Sequence, residues 1–385
     1  MLQRLIHAQE KERAARDTNR LVRPFEWGTS FIDEHAATTN GDDDPRRIFR
    51  EHTEKILRHS DDFYALPPIH DYRLKDDELT WTSAVETPSR ENNTARARFF
   101  PVPAAADKSN RAPKRPGRRG GRRSPEDAGN VERDGVAELQ DARARDGRER
   151  RRAVVVLPQW NADSEGHVAL CRILNRLGIA ALRVTLPYHE ARRPPELERA
   201  DYLVSPNIGR TIQSMRQAVL DTRAAVRWLR EQGGFERVGI AGTSIGSCTA
   251  FLAFAHDPTI DVGVFNHVSG YVADVVWRGI STQHVREGLA DQISLEELRQ
   301  HWLPISPVPF AQRLLQMPSR PMRFIAARYD LTFPRDLSRD VIEVVRRLGV
   351  PVDVAWLPCG HYTSGERPWV YLDGWKIVNY FRKHL

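Results

Sequence analysis

From Ala153 to the last residue, short apolar runs alternate with longer segments of helical spacing. "AVVVLP", "IAALRVTLP", "RVGIAG", "DVGVFNHVSG", "MRFIAARYD" and "VDVAWLP" are too short and too continuously apolar for surface strands. They fit strands buried on both faces. Between them lie "EGHVALCRILNRLG", ending at a C-cap glycine, Gly178, then a stretch from about Asn207 to Gln232, and one from about Ile245 to His256. "RDLSRDVIEVVRRLG" and the C-terminal "WVYLDGWKIVNYFRKHL" complete the series. Strands alternating with helices predict an α/β fold, with a mostly parallel central sheet covered by helices on both faces.

The chain before this region is less regular. "RARFFPVP" reads as a strand, and "ELTWTSAVET" as the sheet's first, edge strand. Residues 1–94 carry no motif and are expected to form an N-terminal extension packing on or leading into the sheet. Residues 95–385 are expected to be the main domain. Between "RARFFPVP" and "AVVVLPQW", residues 104–152 hold 15 Lys and Arg against 9 Asp and Glu, a net of +6 out of the chain's +7. With no aromatic residue and few branched apolar ones, this segment cannot offset the entropy of ordering, so a disordered insertion between two neighbouring strands is expected. Its charge suits either a solvated spacer or an arm for RNA, although it offers no ring for base stacking.

Charge and hydropathy bound the rest. No run of 18 apolar residues marks a membrane span, and the charged start lacks the apolar centre of a secretory signal. Cys171, Cys248 and Cys359 are few, far apart and without metal-type spacing. They read as reduced thiols of a cytoplasmic protein.

The chemistry-bearing stretch is "VGIAGTSIGSCTA". Gly242-Thr243-Ser244-Ile245-Gly246 places a serine between two glycines where a strand meets a helix, the setting of a strained turn that lifts a hydroxyl out of the fold. The new helix offers free N–H groups to a developing anion. A serine needs a base, and the base an orienting acid. Asp330 ends "MRFIAARYD" and His361 follows "VDVAWLP", both at carboxyl ends of strands, where open sheets place their sites. Serine, aspartate and histidine in that chain order, on this scaffold, resemble the α/β-hydrolase superfamily.

That resemblance implies Ser244 as nucleophile, His361 as general base and acid, and Asp330 as the carboxylate orienting it. It implies backbone N–H groups of Ile245 and of Trp160 or Gln159 as oxyanion donors; Pro158, where many members carry His-Gly, has no N–H. It also implies acyl transfer on a small-molecule ester or related acyl compound, with peptides, amides and thioesters as alternatives, and without metal or organic cofactor. A non-catalytic hydrolase-like protein with a nucleic-acid arm is the rival reading.

Other residues keep two readings each. His267 lines the pocket or belongs to the core. Asp274 is an alternative acid. His189 and Glu190 sit in a substrate-side loop rather than forming a metal site, since two adjacent residues are not a ligand set. Tyr188, Trp277 and Trp302 line an apolar pocket or the core. Residues 188–209 and 270–317 are expected to cap the site or to add structural helices, with Ser294 and Glu297 opening one helix as a capping box.

Overall fold

The computed structural model describes residues 2–32, 44–102 and 151–385. Nine strands, counted among the described residues, form one sheet. They are β1 (Arg73–Lys75), β2 (Glu78–Thr82), β3 (Thr94–Phe100), β4 (Arg152–Leu157), β5 (Ile179–Thr185), β6 (Arg237–Thr243), β7 (Val262–Asn266), β8 (Met322–Ala327) and β9 (Asp353–Leu357). Their order is β1-β2-β3-β5-β4-β6-β7-β8-β9. The first three pair antiparallel, and β3 joins β5 antiparallel; every pairing from β5 to β9 is parallel.

Side chains of β4 show how the sheet is buried. Ala153, Val155 and Leu157 enter the core beneath the helices Ile208–Glu231, Ile245–His256 and Arg335–Arg347. Val154 and Val156 enter the core beneath Val168–Arg176 and Trp369–His384. A strand alternates its side chains between faces, so two apolar faces require the continuous apolar runs seen in the sequence. Gly178 has the positive φ (72°) of a helix-ending glycine.

Two expectations about strand order are corrected. The strands flanking residues 104–152 are not neighbours, because β5 lies between β3 and β4. β5 is buried at every position and needs a partner on each edge, and β3 supplies the second one. "ELTWT" is not the edge strand either. The turn at Asp76, with φ 54°, folds β1 back onto β2.

The expected insertion lies outside the described residues from 104 to 150, together with its nucleic-acid reading, and Arg152 already belongs to β4. Phe100 pairs with Ala181 and Arg152 with Ile179, both near the start of β5. The chain therefore leaves and rejoins the sheet at the amino ends of the parallel strands. No described helix is long and apolar enough to cross a membrane.

Candidate active site

Ser244 sits between the last residue of β6 and the first of the Ile245–His256 helix, with φ 58° and ψ −123°. That backbone is strained for a residue with a side chain and persists only where surroundings enforce it. The enforcement is visible. A Cβ on Gly242 would fall on the backbone of Gly246, and a Cβ on Gly246 would fall on the carbonyl oxygens of Pro158 and Leu157. Both glycines of the motif are thus steric requirements. The Ser244 N–H donates to the carbonyl of Asn266 at 2.8 Å, and the Ser247 hydroxyl sits between the carbonyls of Ser244 (2.6 Å) and His267 (3.0 Å). The turn is therefore tied to the end of β7.

Adjacent strands deliver the remaining groups. Past their ends, the β8 and β9 chains stay zipped: the N–H groups of Arg328 and Tyr329 donate to the carbonyls of Leu357 (2.9 Å) and Cys359 (3.0 Å). This sets Asp330 beside His361. His361 Nδ1 meets Asp330 Oδ2 at 3.0 Å, and its Nε2 meets Ser244 Oγ at 3.1 Å. The imidazole is stacked on Phe333, with ring centroids 5.3 Å apart and planes 7° apart. The other Asp330 oxygen accepts N–H groups of Thr332 (2.8 Å) and Phe333 (2.6 Å).

A second histidine shares the carboxylate. His267, with φ 56° at the end of β7, also places Nδ1 on Asp330 Oδ2, at 3.1 Å. Burial alone would raise the Asp330 carboxyl, but the two histidines outweigh it and hold the group well below the usual carboxylate range. Burial alone would lower the His267 imidazole; the hydrogen bond and charge of Asp330, helped by Asp373, raise it instead. His267, Asp330 and His361 are the described cluster whose donor atoms could hold a metal ion, at the cost of the proton that each Nδ1 shares with Asp330.

The loop after β4 approaches Ser244 from another side. As the first residue of its helix, Ile245 has an N–H that no carbonyl within that helix accepts. Gln159, Trp160 and Ile245 all line the cavity at Ser244. The loop is pinned just beyond: the Asn161 N–H donates to His189 Nε2 at 2.8 Å, while Nδ1 of the same ring meets the Pro187 carbonyl at 2.9 Å. Burial lowers the His189 imidazole to about 4, which keeps its acceptor nitrogen free at neutral pH. Glu190 turns away and pairs with Arg183 at 2.8 Å.

The cavity has a volume of about 840 Å³. Leu170 and Ile173 line it from one side, Val275 and Val276 from another, and Ile377 and Val378 from the C-terminal helix. Val204 belongs to segment 188–209 and the two valines to segment 270–317, so both expected cap segments contribute wall.

Three pocket candidates lie outside this lining. Tyr188 and Trp302 are 1% and 0% exposed. Trp302 gives its Nε1–H to the Ile208 carbonyl at 3.3 Å, and Tyr188 packs edge-on against Tyr202. Trp277 lies under the Arg286 guanidinium. Each fills space between elements instead. Asp274 is held by Arg299 at 2.6 and 2.9 Å, so its carboxylate is committed to the Leu295–His301 helix. Ser294 accepts the Glu297 N–H at 3.1 Å, as a capping serine does.

Sequence reading missed His167, whose Nε2 meets Thr243 Oγ1 at 2.9 Å beside Ser244, and Asp373, which lines the cavity from the C-terminal helix. His267 was legible only as one of two alternatives; the signal that could have decided it is that β7 and β8 are neighbours followed by His267 and Asp330.

No protein-family model and no curated protein matches the chain. Solved structures do. An acylaminoacyl peptidase of Pyrococcus horikoshii matches at a TM-score of 0.54 and 13% identity, over 84% of this chain and 43% of that one. A puromycin-hydrolyzing peptidase of Mycobacterium tuberculosis matches at 0.52 and 16%, over 76% of this chain and 37% of that one. The chain spans less than half the length of either. Sheet order, strand-to-helix serine turn and these likenesses agree on one architecture: this chain has the α/β-hydrolase fold.

Proposed function

We propose that the chain is a serine hydrolase that cleaves a carboxylic ester with an apolar acyl group through an acyl-enzyme. The observation that carries this reading is the continuous contact Ser244 Oγ to His361 Nε2 (3.1 Å) and His361 Nδ1 to a buried Asp330 (3.0 Å) at an apolar cavity. In the first step Nε2 takes the proton from Ser244 Oγ as the oxygen attacks the ester carbonyl, and Asp330 stabilises the imidazolium that forms. The new oxyanion rests on the N–H of Ile245 and on that of Gln159 or Trp160. His361 then gives its proton to the leaving alcohol. Water, deprotonated by the same nitrogen, releases the acid and restores Ser244. This chemistry uses neither metal nor organic cofactor.

The cavity volume falls within the ~300–1,000 Å³ range of small-molecule sites. A series of p-nitrophenyl esters of rising acyl length, with matched amides and thioesters, tests the reading. Rising kcat/KM as the chain lengthens from acetate is the expected outcome. The two solved structures are peptidases by name, which is why amides belong in the panel. Faster turnover of an amide than of its matched ester would move the assignment to peptidase or amidase, and no turnover of any member would contradict it.

A further inference from the structure

We infer that Glu10, on the first helix of the chain, is a positioning residue for His361; the inference rests on the serine-hydrolase reading above. The Leu2–Arg16 helix buries only three residues, Ile6, Glu10 and Ala14, which share one face at i, i+4 and i+8. Its other large apolar side chains point outward, Leu2 at 48% and Leu5 at 57% exposure. The centre of its buried face is thus a carboxylate, 0% exposed, where an apolar side chain would hold the helix at no desolvation cost.

What the carboxylate touches accounts for the choice. Glu10 Oε2 accepts the N–H of Tyr362 at 3.0 Å and Oε1 that of Thr363 at 2.9 Å. These are the two residues directly after His361. On the preceding side, a Cβ at Gly360 would fall inside the Glu10 carboxyl, so the loop is built to let this acid approach. Glu10 therefore holds the backbone just after His361 by two hydrogen bonds and packs against Gly360 just before it. The loop's own bonds, Gly360 N–H to Thr363 Oγ1 (2.8 Å) and Ser364 Oγ–H to the His361 carbonyl (2.7 Å), close the turn without fixing it to the rest of the fold. Glu10 supplies a fixed point for the backbone that follows His361.

Neighbouring contacts tie the same segment down. Arg13 pairs with Glu366. Arg20 donates to Tyr362 Oη and to Asp17 at 2.8 Å each, and to the Ile280 carbonyl at 3.2 Å. The start of the chain thus bridges the histidine loop and the 270–317 segment, and Asp17 reaches the cavity wall.

A general base displaced by a fraction of its hydrogen-bond length loses reaction geometry before it loses fold, and about 1 Å of misplacement costs on the order of 10²-fold in rate. The test measures kcat, KM and the melting temperature of the full chain for Glu10→Ala, Glu10→Gln and Ile6→Ala, with amide hydrogen exchange at Tyr362 and Thr363. For Glu10→Ala we expect kcat to fall about 10²-fold with KM nearly unchanged, and faster exchange at both amides. Glu10→Gln keeps the size and one acceptor, so its loss is intermediate, and it serves where the alanine variant does not fold. Ile6→Ala loosens the same helix but keeps the carboxylate; it lowers the melting temperature with little change in kcat. Wild-type kcat in Glu10→Gln, or a loss in Ile6→Ala as large as that in Glu10→Gln, overturns the role of Glu10 alone. A wild-type protein that turns over no acyl ester and takes no label at Ser244 overturns the hydrolase reading and this inference with it.

Discussion

The loops after β7 and β9 each present a histidine to one carboxylate oxygen, at 3.1 Å for His267 and 3.0 Å for His361. The near nitrogens are equivalent; the far ones are not. His361 Nε2 reaches Ser244 Oγ, whereas His267 Nε2 is buried without a hydrogen-bond partner among the described residues. Charge around the two rings also differs. His267 faces Asp330 and, from the C-terminal helix, Asp373, while His361 is stacked on the apolar ring of Phe333. A carboxylate beside a histidine is therefore not enough to make a general base. On the proposed reading the far nitrogen decides, and the second histidine is left to hold the acid ionised and in place.

The largest effect that sharpens this contrast comes from the shared acid. Asp330→Asn keeps the shape but takes the proton acceptor from both histidines, and in the chymotrypsin case described for this substitution turnover falls ~10⁴-fold. We expect a kcat loss on the order of 10² or more here, measured on the best ester. Retained turnover would mean that His361 finds its tautomer without Asp330.

His267→Gln probes the histidine that does not meet the serine. A kcat loss of about 10-fold or less is expected, far smaller than for Asp330→Asn, because His361 keeps its acid and only the orientation of that acid relaxes. The pH dependence separates this from simple unfolding. A histidine whose imidazole is raised in the folded state contributes stability fully present below its unfolded value of ~6.5 and lost as pH rises through the raised one. The difference in melting temperature between wild type and His267→Gln should thus be largest near pH 5.5 and shrink in alkaline solution. A difference that grows with pH would contradict the assignment.

The smallest effect belongs to Asp274→Asn. Its carboxylate is taken by Arg299, so kcat should stay within about 3-fold of wild type, as for a change outside the reacting groups. A collapse of turnover would move the catalytic acid to the Val272–Arg278 helix that follows β7.

The helices and strands after Ala153 were legible because each apolar run is bounded by a turn or capping residue, and the serine turn because Gly242 and Gly246 are the residues that its backbone contacts demand. The order β3-β5-β4 was not legible, since chain neighbours usually pair in space and nothing local marks β5 as the strand between. Tyr188 and Trp302 carry the same side chains whether in a core or a pocket, so only packing separates the cases. Glu10 was the least legible of all. In "HAQEKERAAR" it looks like one more solvated charge, and its partners lie some 350 residues away in the chain, at Tyr362 and Thr363.

The proposed chemistry requires Ser244 as the nucleophile activated by His361. It is tested most directly by reacting the full chain with a fluorophosphonate and mapping the adduct by peptide mass spectrometry, beside Ser244→Ala. A single adduct on Ser244 is expected, with no adduct, no ester turnover and an unchanged melting temperature in Ser244→Ala. An adduct on another serine, or turnover surviving in Ser244→Ala, would contradict it.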